Sequence, residues 1–426
     1  MKRIAHLLFP ALIAVLFGGC SKEPLDTPPP IALFRTYDIA PISAEAVAGG
    51  HFVTCKRALG DQRAAYVQFF NTAGDPGSRI EFDQLPRSIE NITFRPEDMF
   101  ITDVLRWDAA SYVLAGFAIQ RDLEDRVHAL VYHVNAQGQP VAAPRRRYLG
   151  AHAELVAADD INELYRTRVL AERTAQGDLL LAARYETSVN SHFHLLRIPN
   201  GAGSTARSLE LPGAPARMGL QFLHVRSNGE VLLGMDIPGT GLETQLLIRS
   251  FQNTATDLEP TGEVTLQIDH GGGQATDPTV TGVHELNGTL LITGTCDIGQ
   301  NEPRLFHTAA SDLTGLASGN VIATDNGRAA VSYGAAVING EWWCTVNLFE
   351  SSILGEEAER NDRISDLRLL RLGDDGSVQG AREVLTGQGI RGLACFPGAD
   401  GIVVFGALHP FLNIDYLHGA FIRTEP

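Results

Sequence analysis

One pattern recurs along the chain: a short apolar run, a two-residue turn and a second apolar run. Asn228-Gly229 separates Leu220–Val225 from Glu230–Met235, and Asn287-Gly288, Asn339-Gly340 and Asp400-Gly401 punctuate similar pairs. Asn-Gly and Asp-Gly supply the positive φ angles of a type I′ turn, so each pair predicts a β-hairpin. Gln176-Gly177, Ala109-Ala110 and Gly49-Gly50 are weaker members of the series, and neighbouring turns lie 52–67 residues apart. A second hairpin follows within units, as at Asn135–Gly138, Pro199–Gly201 and Gly373–Gly376. Two hairpins make four strands, so the expected fold is all-β: a single β-propeller of seven four-stranded blades. Six or eight blades, or two β-sandwich domains, are the alternatives. The last unit ends after its third strand, while a strand-like run, Ile31–Ile39, precedes the first. That run is expected to supply the missing outer strand and remove an open edge.

The N-terminus follows a different pattern. Lys2 and Arg3 precede an almost wholly apolar stretch, Ile4–Phe17, broken by His6 and Pro10 and ending Leu16-Phe17-Gly18-Gly19-Cys20. This length suits a signal-peptide core and is short for a membrane-spanning helix. The small residues followed by cysteine resemble the lipobox of bacterial lipoproteins, with Phe17 where that family usually has leucine. The resemblance implies cleavage before Cys20 and acylation of Cys20, and several acyl chains anchor far better than one. Ser21, rather than aspartate, after the cysteine implies the outer membrane of a Gram-negative bacterium, on its periplasmic or cell-surface face. The expected organisation is a signal peptide at 1–19, a lipidated cysteine and Pro-rich tether at 20–30, and the propeller at 31–426. Pro28-Pro29-Pro30 favours an extended tether.

Charge narrows the partners. The chain has 426 residues and a formal net charge of −16. An acidic body repels phosphate backbones, so nucleic acid is not an expected partner. Membrane contact is expected from the anchor on Cys20, since the body offers anionic lipid no general attraction.

No contiguous motif carries chemistry. The chain lacks Gly-x-Ser-x-Gly, His-Glu-x-x-His and a phosphate loop, and no cofactor or metal is implied. Cys55, Cys296, Cys344 and Cys395 read as buried thiols; the pairings Cys296–Cys344 and Cys55–Cys395 would be open to adjacent blades only if strand register brought them close. His192 and His194 share a face of one strand. Arg145-Arg146-Arg147 reads as a charged outer strand that blunts an edge, with an anionic-ligand patch as the alternative. The second strands end in polar residues, Arg57, Glu186, Asp236, Asn347, Asp297 and His409, which a propeller would gather around one mouth of its channel. The loop 348–365, with its acidic run Glu356–Asp362, is the candidate for partner contact. Two functions follow: a membrane-anchored binding or scaffold protein with a protein or glycan partner, and a carbohydrate-active enzyme using Glu186, Asp236 or Asp297.

Overall fold

The structure is a computed structural model. It describes residues 31–424 except 48, 58–63, 122–124, 153–167, 187–189, 200–206, 216–218, 240–242, 255–256, 300–301, 323–327, 350–364, 374, 389, 399–400 and 409–417. Cys20, His409 and most of the 348–365 loop thus lie outside the described residues. Among the described residues the chain is all-β, with three short 3₁₀ turns and no α-helix.

Among the described residues the strands form five four-stranded antiparallel sheets, one eight-stranded sheet that divides into two four-stranded units, and a two-stranded hairpin of Ser88–Ile89 with Ile92–Thr93. Unit one holds Ala40–Val47, Gly50–Lys56, Tyr66–Asn71 and Pro76–Glu81; unit two holds Met99–Arg106, Ser111–Arg121, Asp125–Asn135 and Arg145–His152. Unit three holds Arg168–Arg173, Leu179–Glu186, Asn190–Ile198 and Arg207–Pro215. Unit four (Leu220–Val225, Glu230–Pro238, Thr244–Asn253, Leu258–Asp269) joins unit five (Thr276–Leu286, Thr289–Asp297, Pro303–Ala310, Ser318–Val321) as one eight-stranded sheet. The joint is a short parallel pairing of Gln267–Asp269 with Ser318–Asn320. Unit six holds Ala329–Ile338, Glu341–Phe349, Ser365–Leu372 and Val378–Gln388. Unit seven takes Ile390–Gly398, Gly401–Leu408 and His418–Thr424 from the end of the chain and its fourth strand, Ile31–Tyr37, from the beginning. Phe34 lies opposite Ile422 in that antiparallel pairing.

Period-two alternation explains how the units stack. In Ser111–Arg121 the first nine residues are all buried. Val113, Ala115, Phe117 and Ile119 enter a cluster shared with unit three, while Tyr112, Leu114 and Ala118 enter one shared with unit one. A strand apolar on both faces therefore feeds two cores. Further clusters join units three and four, four and five, five and six, and six and seven. The last joins unit seven back to unit one through Val53, Phe70, Phe396, Phe405 and Phe421.

At the three Asn-Gly turns, geometry follows the residues with one departure. Asn287-Gly288 and Asn339-Gly340 both have two positive φ angles, the type I′ signature. At Asn228-Gly229 only the glycine does (φ 87°), and the Arg226 N–H donates to the Glu230 carbonyl across a longer loop. The physical reason is local: the Asn228 side chain accepts the Glu230 N–H at 2.9 Å, and the Arg226 guanidinium pairs with the Glu230 carboxylate at 3.0 Å. Together they hold a type I turn followed by a bulge.

Candidate functional site

The first strand of each unit is where sequence and pleat disagree. In six of the seven, at least one residue has no partner on the second strand, among them Ile42, Thr102, Gln221, Thr281, Tyr333 and Leu393. Such β-bulges kink a strand and re-aim its side chains. Three of these side chains bridge to the next unit. Thr102 Oγ1 donates to the Val169 carbonyl at 2.7 Å and accepts the Val169 N–H at 3.0 Å. Gln221 Oε1 accepts the Val280 N–H at 3.1 Å, and Thr281 Oγ1 lies 3.1 Å from Ser332 Oγ. Thr102 and Gln221 thus satisfy main-chain groups of the next unit, while Thr281 meets a side chain there.

The first strands of units one to five bound a single cavity of about 320 Å³. Three carboxyl groups from successive units enter it: Glu45, Asp103 and Glu172, with Arg168 beside them. Val104, Leu105, Leu170, Val280 and Val283 make the apolar part of its wall. Asp103 is held from two sides. Its Oδ2 accepts the Ala171 N–H at 2.7 Å and its Oδ1 accepts the Val104 N–H at 2.9 Å. Arg168 Nη1 donates to the Leu220 carbonyl at 3.3 Å.

The electrostatics follow from desolvation and from crowding like charges around one cavity. Enclosure, with Asp103 and Glu172 nearby, pushes the Glu45 carboxyl up to about 8. Glu45 is nonetheless exposed to solvent in the cavity, and that exposure screens the effect. Burial and the Asp103 charge push Glu172 up to about 8, against the Arg173 N–H. Burial also raises Asp103, opposed by the Ala171 N–H, the Arg168 charge and the Val104 N–H. Enclosure lowers the Arg168 pKa, and Asp103 opposes that shift. Burial draws the His224 imidazole down to about 4, so it is neutral at pH 7. The cavity therefore offers carboxyl groups whose proton affinity is raised, carbonyl acceptors and one guanidinium. No group of three His, Cys, Asp or Glu among the described residues is arranged to hold a metal ion.

The strand-end residues expected around the mouth are dispersed. Arg57 is exposed and pairs with Asp83 at 2.5 Å and Glu81 at 3.4 Å, beside a separate cavity of about 270 Å³ between units one and two. Asn347 is buried; its amide donates to the Ile390 carbonyl, and its Oδ1 accepts the Gly392 N–H at 3.1 Å. It ties unit six to unit seven rather than facing a channel. Asp236 accepts a hydrogen bond from Gln221 Nε2 at 2.7 Å, one residue removed from the cavity wall, and burial raises its pKa. Asp297 is half-buried and also raised, first by burial and then by Asp277, a charge that acts on Asp236 too. Glu186 closes its strand, but its side chain lies outside the described residues, as does His409. The structure therefore brings Asp236 and Asp297 into one neighbourhood and places Arg57 and Asn347 elsewhere. His192 and His194 do share a face: both rings stack on Tyr185, at 4.8 and 5.7 Å. The four cysteines of the body are buried free thiols.

Sequence reasoning passed over Glu45, Asp103, Arg168 and Glu172. The available signal was an acidic residue inside the first strand of three consecutive units, each next to apolar positions. Strand ends drew attention because loops are the usual place for function.

No family model matches the chain, and no curated protein matches it. Solved structures do. An ulvan lyase of a polysaccharide lyase family, determined bound to -[GlcA(1-4)Rha3S]-, aligns over 93% of this chain and 95% of its own, with a TM-score of 0.50 and 10% identity. The polysaccharide lyase Uly1 aligns over 94% and 93%, with a TM-score of 0.44 and 10% identity. A Trypanosoma rangeli sialidase in complex with sialic acid aligns over 90% of this chain and 59% of its own, with a TM-score of 0.37 and 12% identity. These neighbours are β-propeller enzymes. The likeness is one of fold alone: the all-β body of this chain is of the propeller type.

Proposed function

We propose that the chain is a membrane-anchored, carbohydrate-directed protein whose seven four-stranded units are the blades of one propeller at 31–426. The clusters that join each unit to the next, and the last to the first, support seven blades around a common axis. A signal peptide at 1–19, acylation of Cys20 and a tether at 20–30 would hold that body at the outer membrane. Replacing Cys20 by Ala should release it from membranes, and retention of the variant in the membrane fraction would refute the anchor.

The ligand is a saccharide, and its site is the cavity of Glu45, Asp103, Arg168 and Glu172. The observation that carries this reading is that three carboxyl groups from consecutive units share one solvent-open cavity whose wall is partly apolar. Polar groups converging in a partly apolar concavity suit a ring with hydroxyls on its rim and C–H faces above and below. Protonated Glu45 and Glu172 can donate to hydroxyl oxygens, while Asp103, fixed by two main-chain N–H groups, accepts from a hydroxyl. The likeness to a polysaccharide lyase agrees with a glycan ligand, and as fold alone it adds no residue to the site.

Binding is the primary activity. Cleavage of a glycosidic bond in the same cavity is a second reading, favoured by two acids that exchange protons near neutral pH. Calorimetry of the detergent-solubilised full chain with neutral and uronate-bearing oligosaccharides tests both. Glu45→Gln and Glu172→Gln should each weaken binding about tenfold, roughly 1.4 kcal/mol. Unchanged affinity in both variants, or no saccharide bound by the wild type, sinks the reading. Product formation lost in Glu172→Gln would add catalysis to binding.

A further inference from the structure

The connection between units one and two is elaborate. Residues 270–275 suffice to pass from unit four to unit five. Residues 82–98 instead hold two 3₁₀ turns, Phe82–Gln84 and Pro96–Asp98, and the hairpin of Ser88–Ile89 with Ile92–Thr93. The segment is tied down at several points. Leu85, Ile89 and Phe94 are buried in the core that units one and two share. Tyr132 Oη donates to the Pro86 carbonyl at 2.9 Å, and the Arg146 guanidinium donates to the Ile89 and Glu90 carbonyls at 3.3 and 3.4 Å.

This segment walls the cavity of about 270 Å³, which shares no lining residue with the cavity around Glu45. Its apolar side is Phe82, Leu85, Met99 and Ile101, all packed in the same core cluster. Met99 and Ile101 alternate along one strand, so both face unit one. Phe82 and Met99 are only partly buried, which leaves apolar surface open in a concavity. Charge lies beside it. Asp83 lends Oδ2 to Arg57 at 2.5 Å, while its Oδ1 has no partner among the described residues. Arg87 donates to the Asp83 carbonyl at 3.2 Å and has no carboxylate partner among the described residues. A carboxylate oxygen and a guanidinium thus stand on one wall without pairing to each other. In a hollow left over from packing, the apolar floor and the two charges would be separate accidents. A ligand with an apolar body and adjacent opposite charges uses all of them at once.

We propose that this cavity binds an apolar α-amino acid. The α-carboxylate lies on Arg87, the α-ammonium on Asp83 Oδ1, and the side chain on Phe82, Leu85, Met99 and Ile101. An α-amino acid carries both charges on one carbon, which matches a cation and an anion on one wall. The guanidinium fork suits a carboxylate, and a carboxylate oxygen accepts from an ammonium. The site goes beyond the carbohydrate-directed reading and does not depend on it.

Calorimetry of the detergent-solubilised full chain with L-leucine, L-methionine and L-phenylalanine tests it. Leucine should bind. Isocaproate, which lacks the ammonium, isoamylamine, which lacks the carboxylate, and glycine, which lacks the side chain, should each bind roughly tenfold more weakly. Arg87→Ala should weaken leucine binding about fivefold and Asp83→Asn severalfold, with circular dichroism spectra unchanged. Glu172→Gln should bind leucine like the wild type, because it lines the other cavity. A wild type that binds none of the three amino acids overturns the proposal. So does isocaproate or isoamylamine binding as tightly as leucine, since a single charge would then account for the affinity. These analogues are read on the wild type, so they decide the matter even where a variant fails to fold. A wild type that binds leucine but no saccharide removes the carbohydrate-directed reading and leaves this site standing.

Discussion

Asn347 in unit six accepts the main-chain N–H of Gly392 in unit seven at 3.1 Å. Its own amide donates to the Ile390 carbonyl, so one buried side chain satisfies two main-chain groups of the neighbouring unit. Asn347→Ala would strand both in a dry interface. The expected loss is about 2–3 kcal/mol in denaturant unfolding. A midpoint unchanged from wild type would show that the tie contributes nothing.

The bulged first strands approach the second strands closely where glycine stands. A Cβ on Gly294 would lie 2.1 Å from the Thr279 carbonyl oxygen, and one on Gly116 would lie 1.9 Å from that of Phe100. In each case the oxygen belongs to the residue two before the bulge. Gly294→Ala should therefore cost about 2–4 kcal/mol through backbone displacement. Gly229→Ala is the control: open space surrounds that position, and only its φ of +87° is strained, for about 1 kcal/mol. Equal losses in the two variants would argue against close approach as the cause.

Stability should fall on both sides of mildly acidic pH. Glu172, ordinarily near 4.5, is pushed up to about 8, so between those values the folded state holds a proton that the unfolded state releases. Its contribution therefore declines as pH rises through that window. His51, buried among Phe70, Phe396, Phe405 and Phe421, is pushed by burial from 6.5 down to about 3. The unfolded state takes up a proton there that the folded state refuses, so stability declines as pH falls from 6.5 toward 3. Melting temperatures across pH should show Glu172→Gln flattening the alkaline limb and His51→Phe flattening the acid one. Parallel curves for variants and wild type would remove these two groups as the cause.

Removing Ile31–Tyr37 should expose the outer side of His418–Thr424 and the contacts of Tyr37, which donates to the Gly74 carbonyl and packs 4.9 Å from Phe70. The truncated chain should lose cooperative unfolding and self-associate through the bare edge. A monomer with wild-type unfolding would show that closure is dispensable.

Much of the architecture was legible because hairpins announce themselves locally. Asn287-Gly288 and Asn339-Gly340 carry their own backbone geometry, and the run Ile31–Ile39 reads as a strand with no partner nearby. The cavity was not legible in this way. Glu45, Asp103 and Glu172 come together only because three first strands meet, and the bulge at Thr102 changes which way neighbouring side chains face. No local pattern encodes a register slip between strands. Asn347 shows the converse, since a polar residue at a strand end resembles a mouth residue until its partner in the next unit is known. The parallel joint between units four and five, Gln267–Asp269 with Ser318–Asn320, likewise depends on strands far apart in sequence.

The pairing of Ile31–Tyr37 with His418–Thr424 also sets an order of events. The first strand to be synthesised finds its place only when the last has been made, a loop closure that spans nearly the whole chain and is slow for that reason. Through most of its synthesis the nascent chain carries an unclosed sheet stack.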